Sequence, residues 1–241
     1  MKTIGLIGGL SWYSTAQYYR TINELVQERR GGHASALIAL QSLDFSVVRA
    51  HQESGDWAAA GRLLADAGRR CQDAGADVVL ICANLMHRVA DDVESALDVP
   101  LLRITDAIAD QARARGWSQL GLLGTRWVME EDFYTGRLER SGLRTHVPAP
   151  DDRAEVNRII FDELTQGRVV EESRITYLAA IDRLADAGAE AVVLACTEIE
   201  LLVNDGDAPI PLLDSMRVHA EAAVDFALAT RPGQPTPAFD G

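Results

Sequence analysis

The chain has 241 residues, of which 47% are hydrophobic, and a formal net charge of -13. This length suits one large domain or two small ones with a sizeable core. The acidic charge argues against a nucleic-acid surface, and the apolar runs are too short to span a bilayer. Three cysteines without framework spacing indicate reduced thiols in a cytoplasmic protein. Residues 1–3 lead directly into a strand pattern, so no signal peptide is expected.

Strand and helix patterns alternate along the first half of the chain. Gly8-Gly9 closes the first apolar run, and Ser11 or Ser14 can cap the helix that follows. Residues 42–44 are predicted to lie in a loop. The predicted strands are 2–7, 36–40, 77–81 and 99–104, and the predicted helices are 11–30, 57–73 and 104–115.

The second half repeats the alternation and begins with a run, residues 119–125, that matches residues 3–9 in type until its last position. Residues 148–152 are predicted to form a polar loop, and the proline-containing tail at 231–241 is predicted to be disordered. The predicted strands are 119–124, 144–147, 191–195 and 209–214, and the predicted helices are 129–141, 154–165, 172–187 and 215–229.

The chain thus contains a duplicated α/β unit rather than an array of many repeats. We expect two similar lobes related by a pseudo-twofold axis, each a mostly parallel sheet flanked by helices. The predicted first lobe contains residues 1–99 and 212–230, and the second contains residues 100–211. Ligands of parallel sheets bind beyond the carboxyl ends of the strands, so the active site is expected in the cleft between the lobes.

The two copies can be aligned on their acidic residues, Asp77 and Glu190. This alignment places Cys196 opposite Ala83, whereas Cys82 falls one position short. Because successive residues leaving a strand point to opposite sides, Cys82 is predicted to point away from the partner lobe.

Glycine turns follow the first strand of each copy. Residues 8–11 (GGLS) precede a helix, whose free backbone N–H groups suit a small anion such as a carboxylate. Gly9 and Ser11 are therefore candidate substrate-binding residues, as is Thr125 in the matching turn. A simple tight turn is the alternative. Neither turn is a dinucleotide fingerprint or a P-loop, so no cofactor is expected.

Polar residues follow both buried cysteine strands. Cys196 is followed by Thr197 and Glu198, and its thiol could act as a base or nucleophile. The alternative is that Cys196 is a core residue whose role is packing. In the first copy, Asn84 could hydrogen-bond a carboxylate or amino group, and His87 could either bind or pack. The histidines and cysteines form no metal-ligand cluster, so no metal is expected.

Four motifs together resemble the aspartate/glutamate racemase family: residues 5–12 (GLIGGLSW), 82–87 (CANLMH), 121–125 (GLLGT) and 195–199 (ACTEI). The resemblance extends over residues 2–228. It implies two α/β lobes with the active site between them and a homodimer. It also implies cofactor-independent racemisation of an amino acid by two cysteines on opposite faces of Cα.

Carried over by position, Cys196 matches the second family cysteine, with Thr197 and Glu198 as its neighbours. Asn84 matches the asparagine that follows the first cysteine. The first cysteine itself matches Ala83, and Leu85 stands where threonine is usual.

Some members hold the distal carboxylate of aspartate with an arginine and a lysine. The corresponding regions here read 43–46 (LDFS) and 165–167 (TQG), without either cation. Gln52 is a candidate for side-chain recognition instead, and a broad amino-acid range is expected.

Three hypotheses follow. The first is a racemase or isomerase acting at an amino-acid Cα–H, with Cys196 as acid/base and Ala83 making the activity one-sided or impaired. The second is a single-cysteine decarboxylase or lyase of the same superfamily. The third is an amino-acid-binding inactive relative or an active-site variant. In each case the expected partner is a small amino acid or related carboxylate, without nucleic acid or membrane.

Overall fold

The computed structural model describes residues 1–229, which form an α/β fold of eight strands and ten α-helices with short 3₁₀ turns. The strands are β1 Ile4–Gly8, β2 Ile38–Ser42, β3 Val78–Ile81, β4 Leu101–Leu102, β5 Gln119–Gly124, β6 Arg144–His146, β7 Ala191–Ala195 and β8 Leu212–Asp214. The helices are α1 Trp12–Arg30, α2 Phe45–Ser54, α3 Trp57–Asp73, α4 Ala90–Glu94, α5 Ile104–Arg115, α6 Arg126–Glu130, α7 Thr135–Arg140, α8 Pro150–Asp162, α9 Glu171–Asp186 and α10 Ser215–Leu228.

The strands form two parallel four-stranded sheets of equivalent topology, β2-β1-β3-β4 and β6-β5-β7-β8. Strands β1, β3 and β7 are buried throughout, as expected for parallel strands covered by helices on both faces. The predicted fold class is therefore confirmed.

The helix after each sheet crosses to the other half of the molecule. Helix α5 follows β4 of the first sheet but packs in the core of the second sheet, while α10 follows β8 and packs against the first. The two crossing helices contact each other. We call residues 1–103 plus 215–229 the first lobe and residues 104–214 the second lobe.

The sheet pairing corrects the predicted lobe boundaries. Strand β4 pairs with β3, and β8 pairs with β7, so residues 101–103 belong to the first lobe and residues 212–214 to the second. The boundary lies at the start of each crossing helix because the last strand of each sheet completes its own sheet before the chain crosses.

The two acidic residues used to align the duplicated halves occupy equivalent positions. Asp77 accepts a hydrogen bond from the Thr3 backbone N–H at 2.7 Å. Glu190 accepts from the Ser118 and Gln119 N–H groups at 2.6 and 2.8 Å, which lowers its pKa. Each carboxylate thus fixes the start of β3 or β7 beside the first strand of its sheet.

Three predicted segments differ from the structure. The sequence predicts no element for residues 45–54, which form α2 in the structure. Asp44 caps this helix by accepting a hydrogen bond from the Ser46 N–H at 2.9 Å. The single helix predicted over 129–141 is instead two short helices, α6 and α7, separated near Tyr134. The predicted loop at 148–152 contains the start of α8, where Pro150 occupies the first turn and needs no N–H partner.

Two further predictions concern the C-terminal tail and membrane-spanning helices. The tail predicted to be disordered, residues 231–241, lies outside the described residues. Within residues 1–229, no helix has the length and apolar composition needed to cross a membrane.

Candidate active site

A cavity of about 650 Å³ lies between the lobes. Both lobes contribute residues that follow the carboxyl ends of buried strands, as the topology predicts for a ligand site. Of the sequence-predicted site residues, the cavity brings together Ser11, Gln52, Ala83, Asn84, Leu85, Thr125, Cys196, Thr197 and Glu198.

Cys196 is a half-buried cysteine directly after β7, and its thiol faces a carboxylate. Its Sγ donates to Glu198 Oε2 at 3.0 Å, and the Thr197 hydroxyl donates to the same oxygen at 2.9 Å. The short 3₁₀ turn Ile199–Leu201 follows, with Glu198 at its N-terminal boundary. One carboxylate oxygen thus accepts hydrogen bonds from two neighbouring side chains.

The surroundings of Cys196 favour its protonated thiol form. Burial raises its pKa well above the ordinary value, and the negative charge of Glu198 raises it further. A thiol hydrogen-bonded to a carboxylate has a ready acceptor for its proton. The pair can therefore exchange one proton between sulfur and oxygen without bulk water.

Ala83 and Cys82 have opposite surroundings although they are adjacent. Sheet pairing places Gly5 beside Val79 in the first lobe and Gly121 beside Val192 in the second, so Ala83 and Cys196 stand at equivalent positions. Ala83 lines the cavity. Cys82 is 0% exposed, lies in the core with Tyr18 and Met216, and has its pKa raised by burial. As predicted, its thiol points away from the cavity.

Asn84 belongs to a hydrogen-bond network that joins the two lobes. Tyr134 O–H donates to Asn84 Oδ1 at 2.8 Å, and Asn84 Nδ2 donates to Ser215 Oγ at 3.1 Å. Ser215 O–H donates in turn to the Leu194 carbonyl at 2.7 Å, two residues before Cys196. The Asn84 side chain therefore fixes the cleft geometry, and one amide hydrogen and one carbonyl lone pair remain beyond these bonds.

Other polar groups of the lining differ in their bonding. Thr125 is 8% exposed and its hydroxyl has no partner within residues 1–229, although it stands at the start of α6. Ser11 instead caps α1 through the Ser14 N–H at 3.5 Å. Gln52 donates to Met86 Sδ at 3.1 Å. Thr125 is thus a buried group whose hydrogen-bonding capacity suits a ligand.

Gly9, a predicted substrate-binding residue, does not line the cavity. Its φ is +72°, and its N–H donates to Thr15 Oγ1 at 2.9 Å. A Cβ at this position would lie 2.0 Å from the Leu43 carbonyl oxygen. Gly9 is therefore required for close backbone approach to the chain that leads into α2, and its predicted role in anion binding stays a prediction.

His87, the other residue with an open prediction, is buried and packs rather than lining the cavity. Its Nε2 accepts from the Ile104 N–H at 3.0 Å, so Nδ1 carries the proton toward the Ala83 carbonyl at 2.8 Å. Among the described residues, no group of three or more His, Cys, Asp or Glu side chains is arranged to hold a metal ion.

Sequence reasoning missed the apolar part of the lining. Phe45, Phe161 and Leu164 line the cavity, together with Thr165 and Gly167 from the region that carries a lysine in some family members. Phe45 could have been found, because it follows the end of β2 at the same sheet edge as Ser11 and Ala83. Phe161 and Leu164 gave no such signal, since they lie at the end of a helix and in the turn after it.

Comparisons with known proteins agree with this architecture. The family model for Asp/Glu/Hydantoin racemase matches residues 7–223. A candidate Asp/Glu racemase from Yersinia pestis is 47% identical, with 95% of this chain and 100% of that chain covered at a TM-score of 0.92. An aspartate racemase homologue from Pyrococcus horikoshii OT3 is 32% identical, with 94% and 99% covered at a TM-score of 0.84.

A curated relative is more distant. The broad specificity amino-acid racemase RacX of Bacillus subtilis (strain 168) is 20% identical over 168 residues, which are 70% of this chain and 72% of that protein. The family model spans both lobes, and it covers three of the four motifs of the predicted resemblance completely and residues 7–12 of the first. The chain therefore belongs to the Asp/Glu/Hydantoin racemase family.

Proposed function

We propose that this protein moves the Cα proton of an amino acid without a cofactor, as a racemase or isomerase in which Cys196 is the acid/base residue. The observation that carries the proposal is the Cys196 thiol in the cavity lining, hydrogen-bonded to Glu198 at 3.0 Å. Membership of the racemase family and the 47% identity to a candidate Asp/Glu racemase support the reaction class.

Glu198 supplies the acceptor that Cys196 needs. With its pKa raised by burial and by the adjacent carboxylate, Cys196 is protonated, and it cannot act as a base until its proton moves away. In the proposed step, the thiol proton passes to Glu198 Oε2, and the thiolate then takes the proton from Cα. The carbanion regains a proton either from the same thiol or from the opposite side.

The Ala83 side limits the reaction because a methyl group carries no exchangeable proton. Reprotonation from that side must use water, which lacks the advantage of a positioned acid/base side chain. Exchange with retention at the Cys196 face should therefore be fast, and net inversion should be slow. This is the one-sided activity that the alanine substitution implies.

Thr125 is the proposed anchor for the substrate α-carboxylate, together with Ser11, Asn84 and Thr197. Its hydroxyl is buried without a hydrogen-bond partner among residues 1–229, and Thr125 lines the cavity. A carboxylate accepts hydrogen bonds from such hydroxyl and amide groups without a full positive charge.

The test compares two cysteine substitutions in deuterium oxide, with Cα exchange followed by NMR. Cys196→Ala should lower the exchange rate by at least about 100-fold, because positioned acid/base groups contribute at least this much. Cys82→Ala is the matched control. It should retain the wild-type exchange rate and cost about 1 kcal/mol of stability through a small core cavity.

Undiminished exchange in Cys196→Ala would refute the catalytic assignment. Loss of exchange in Cys82→Ala, with the fold intact by circular dichroism, would show that the buried thiol participates.

A single-thiol decarboxylase is the second candidate, and the presence of only one cysteine in the described cavity lining favours it. Losing carbon dioxide creates the carbanion without a base, and one thiol then protonates one face. Product formation from a 2-substituted malonate, without amino-acid Cα exchange, would favour this reaction over racemisation.

A further inference from the structure

The charged lining of the cavity is negative. Among residues 1–229, no lysine, arginine or histidine lines the cavity, and Glu198 contributes a carboxylate. An aspartate or glutamate substrate carries two carboxylates and one ammonium group, so it would bring net negative charge into a site that is already negative. Like charges in a partly buried site repel each other strongly because water screens them poorly.

Much of the remaining lining is apolar, and part of this apolar lining extends to the protein surface. Trp12, Tyr13, Phe45, Val169 and Leu201 line the cavity, and all are among the eleven large hydrophobic side chains that the described part of the chain exposes. Trp12 is 74% exposed and Val169 is 56% exposed. Exposed apolar groups collected at one cleft mark a ligand-binding surface rather than random surface composition.

The space also exceeds what a small acidic side chain needs. A cavity of about 650 Å³ lies within the range of sites that enclose ligands much larger than aspartate. Phe161 and Leu164 extend the apolar wall inward from the second lobe, facing a cleft to which Phe45 of the first lobe also contributes.

Arg49 is the cation whose position most needs explanation, because its guanidinium packs on a lining ring. It lies 5.1 Å from the Phe161 ring centroid and pairs with Glu53 at 3.1 Å. It also donates to Gln52 Oε1 at 3.4 Å. Its guanidinium is thus engaged with Phe161, Glu53 and Gln52.

We infer that the substrate is an amino acid with a large apolar side chain, such as leucine or phenylalanine, and not a dicarboxylic amino acid. The α-carboxylate and α-ammonium groups of the substrate lie near the polar lining residues Thr125 and Glu198. The side chain occupies the apolar space bounded by Phe45, Phe161 and Leu164. This inference rests on the proposed function for the reaction, but it concerns the ligand class that the cavity accepts.

The experiment measures both turnover and binding for leucine, phenylalanine, aspartate and glutamate. Turnover is the Cα exchange rate of wild-type protein at low substrate concentration. Binding is measured by calorimetry with Cys196→Ser, which does not consume the ligand. Leucine and phenylalanine should exceed both acidic amino acids by at least tenfold in each assay, equivalent to about 1.4 kcal/mol.

A second test introduces a positive charge with Phe45→Arg and uses Phe45→Leu as its matched control. A cation at this rim position should raise exchange of glutamate relative to leucine by about tenfold, a shift that one favourable charge contact can produce. The Phe45→Leu variant keeps the apolar character and should keep the preference for leucine.

The outcomes separate the two proposals. If acidic amino acids exchange as fast as leucine, the substrate class is refuted while the reaction stands. If no amino acid exchanges but Cys196→Ser binds leucine and phenylalanine preferentially, the reaction is refuted while the substrate class stands. Equal or absent binding of all four, without exchange, overturns both.

Discussion

Ala83 and Cys82 differ by one position along the chain and by their entire surroundings. The alternation of side chains at the strand exit directs Ala83 into the cavity and Cys82 into the core beside Tyr18 and Met216. Sequence alone was sufficient for this distinction because the two acidic residues, Asp77 and Glu190, fix the register of both copies. It could not supply the Cys196–Glu198 hydrogen bond, which depends on the turn after β7.

Restoring a thiol at Ala83 should create a second proton donor. We expect Ala83→Cys to raise net racemisation by at least about 100-fold, since a positioned acid/base group replaces water. The measurement is the change of optical rotation from a single enantiomer of leucine. Ala83→Ser has nearly the same size as the cysteine variant and should leave the rate low, because its hydroxyl is a poor acid and base. An equal gain with serine would indicate that polarity, and not a thiol, was lacking.

Helix α2 illustrates how a small structural requirement positions part of the site. The turn after β1 approaches Leu43 so closely that only glycine fits at position 9. Leu43 N–H donates to the Gly8 carbonyl at 3.0 Å, and α2 follows with Phe45 and Gln52 in the cavity lining.

Two glycines with nearly the same φ distinguish the cost of left-handed backbone from the cost of a steric clash. Gly9 and Gly55 have φ of +72° and +71°, but a Cβ at Gly55 would meet no atom within 4 Å. Gly55→Ala should cost about 1 kcal/mol of unfolding free energy from the left-handed conformation alone. Gly9→Ala should cost about 2 kcal/mol more, because the Leu43 backbone must move. Urea unfolding measures both, and equal losses would contradict the role assigned to the Leu43 contact.

The elements that the sequence failed to predict have identifiable causes. Start and stop residues for α2, Asp44 and Gly55, were present, but α2 buries only Val48 and Gln52 and so has a weak apolar stripe. The break between α6 and α7 had no local signal. It allows the fully buried Tyr134 to reach Asn84 in the other lobe, a tertiary contact that no periodicity encodes.

At the scale of the whole molecule, two buried histidines support the place where the chain crosses from the first lobe to the second. His87 accepts from the Ile104 N–H, and His219 donates to the Leu102 carbonyl at 2.8 Å while accepting from Tyr18 O–H at 2.9 Å. Burial lowers the pKa of His87 to about 4 and that of His219 to about 3. Both rings are therefore neutral wherever the protein is folded near neutral pH.

Acidification should destabilise the protein through these histidines. Their folded pKa values lie below the unfolded value of about 6.5, so the unfolded chain binds more protons and stability falls from that pH toward pH 4. Glu200 acts in the opposite direction, because burial and the Asp214 carboxylate raise its pKa. Between pH 7 and pH 5 it therefore offsets part of the loss.

The Glu200→Gln variant isolates the histidine contribution. Its unfolding free energy should fall by about 3 kcal/mol from pH 7 to pH 5, more than in the wild-type protein, since each buried neutral histidine contributes up to about 1.4 kcal/mol per pH unit. Urea unfolding at the two pH values provides the measurement, with substitution of the exposed His33 by glutamine as control. A pH-independent stability in Glu200→Gln would contradict the assignment.

The central claim is that one thiol serves one face of Cα, and the most direct measurement follows exchange from each enantiomer separately. L- and D-leucine are incubated with wild-type protein in deuterium oxide, and Cα deuteration is followed by NMR while chirality is followed by chiral chromatography. One enantiomer should exchange at least about 100-fold faster than the other, with its configuration largely retained, because only the Cys196 side carries an acid/base group. Equally rapid exchange of both enantiomers would contradict the account.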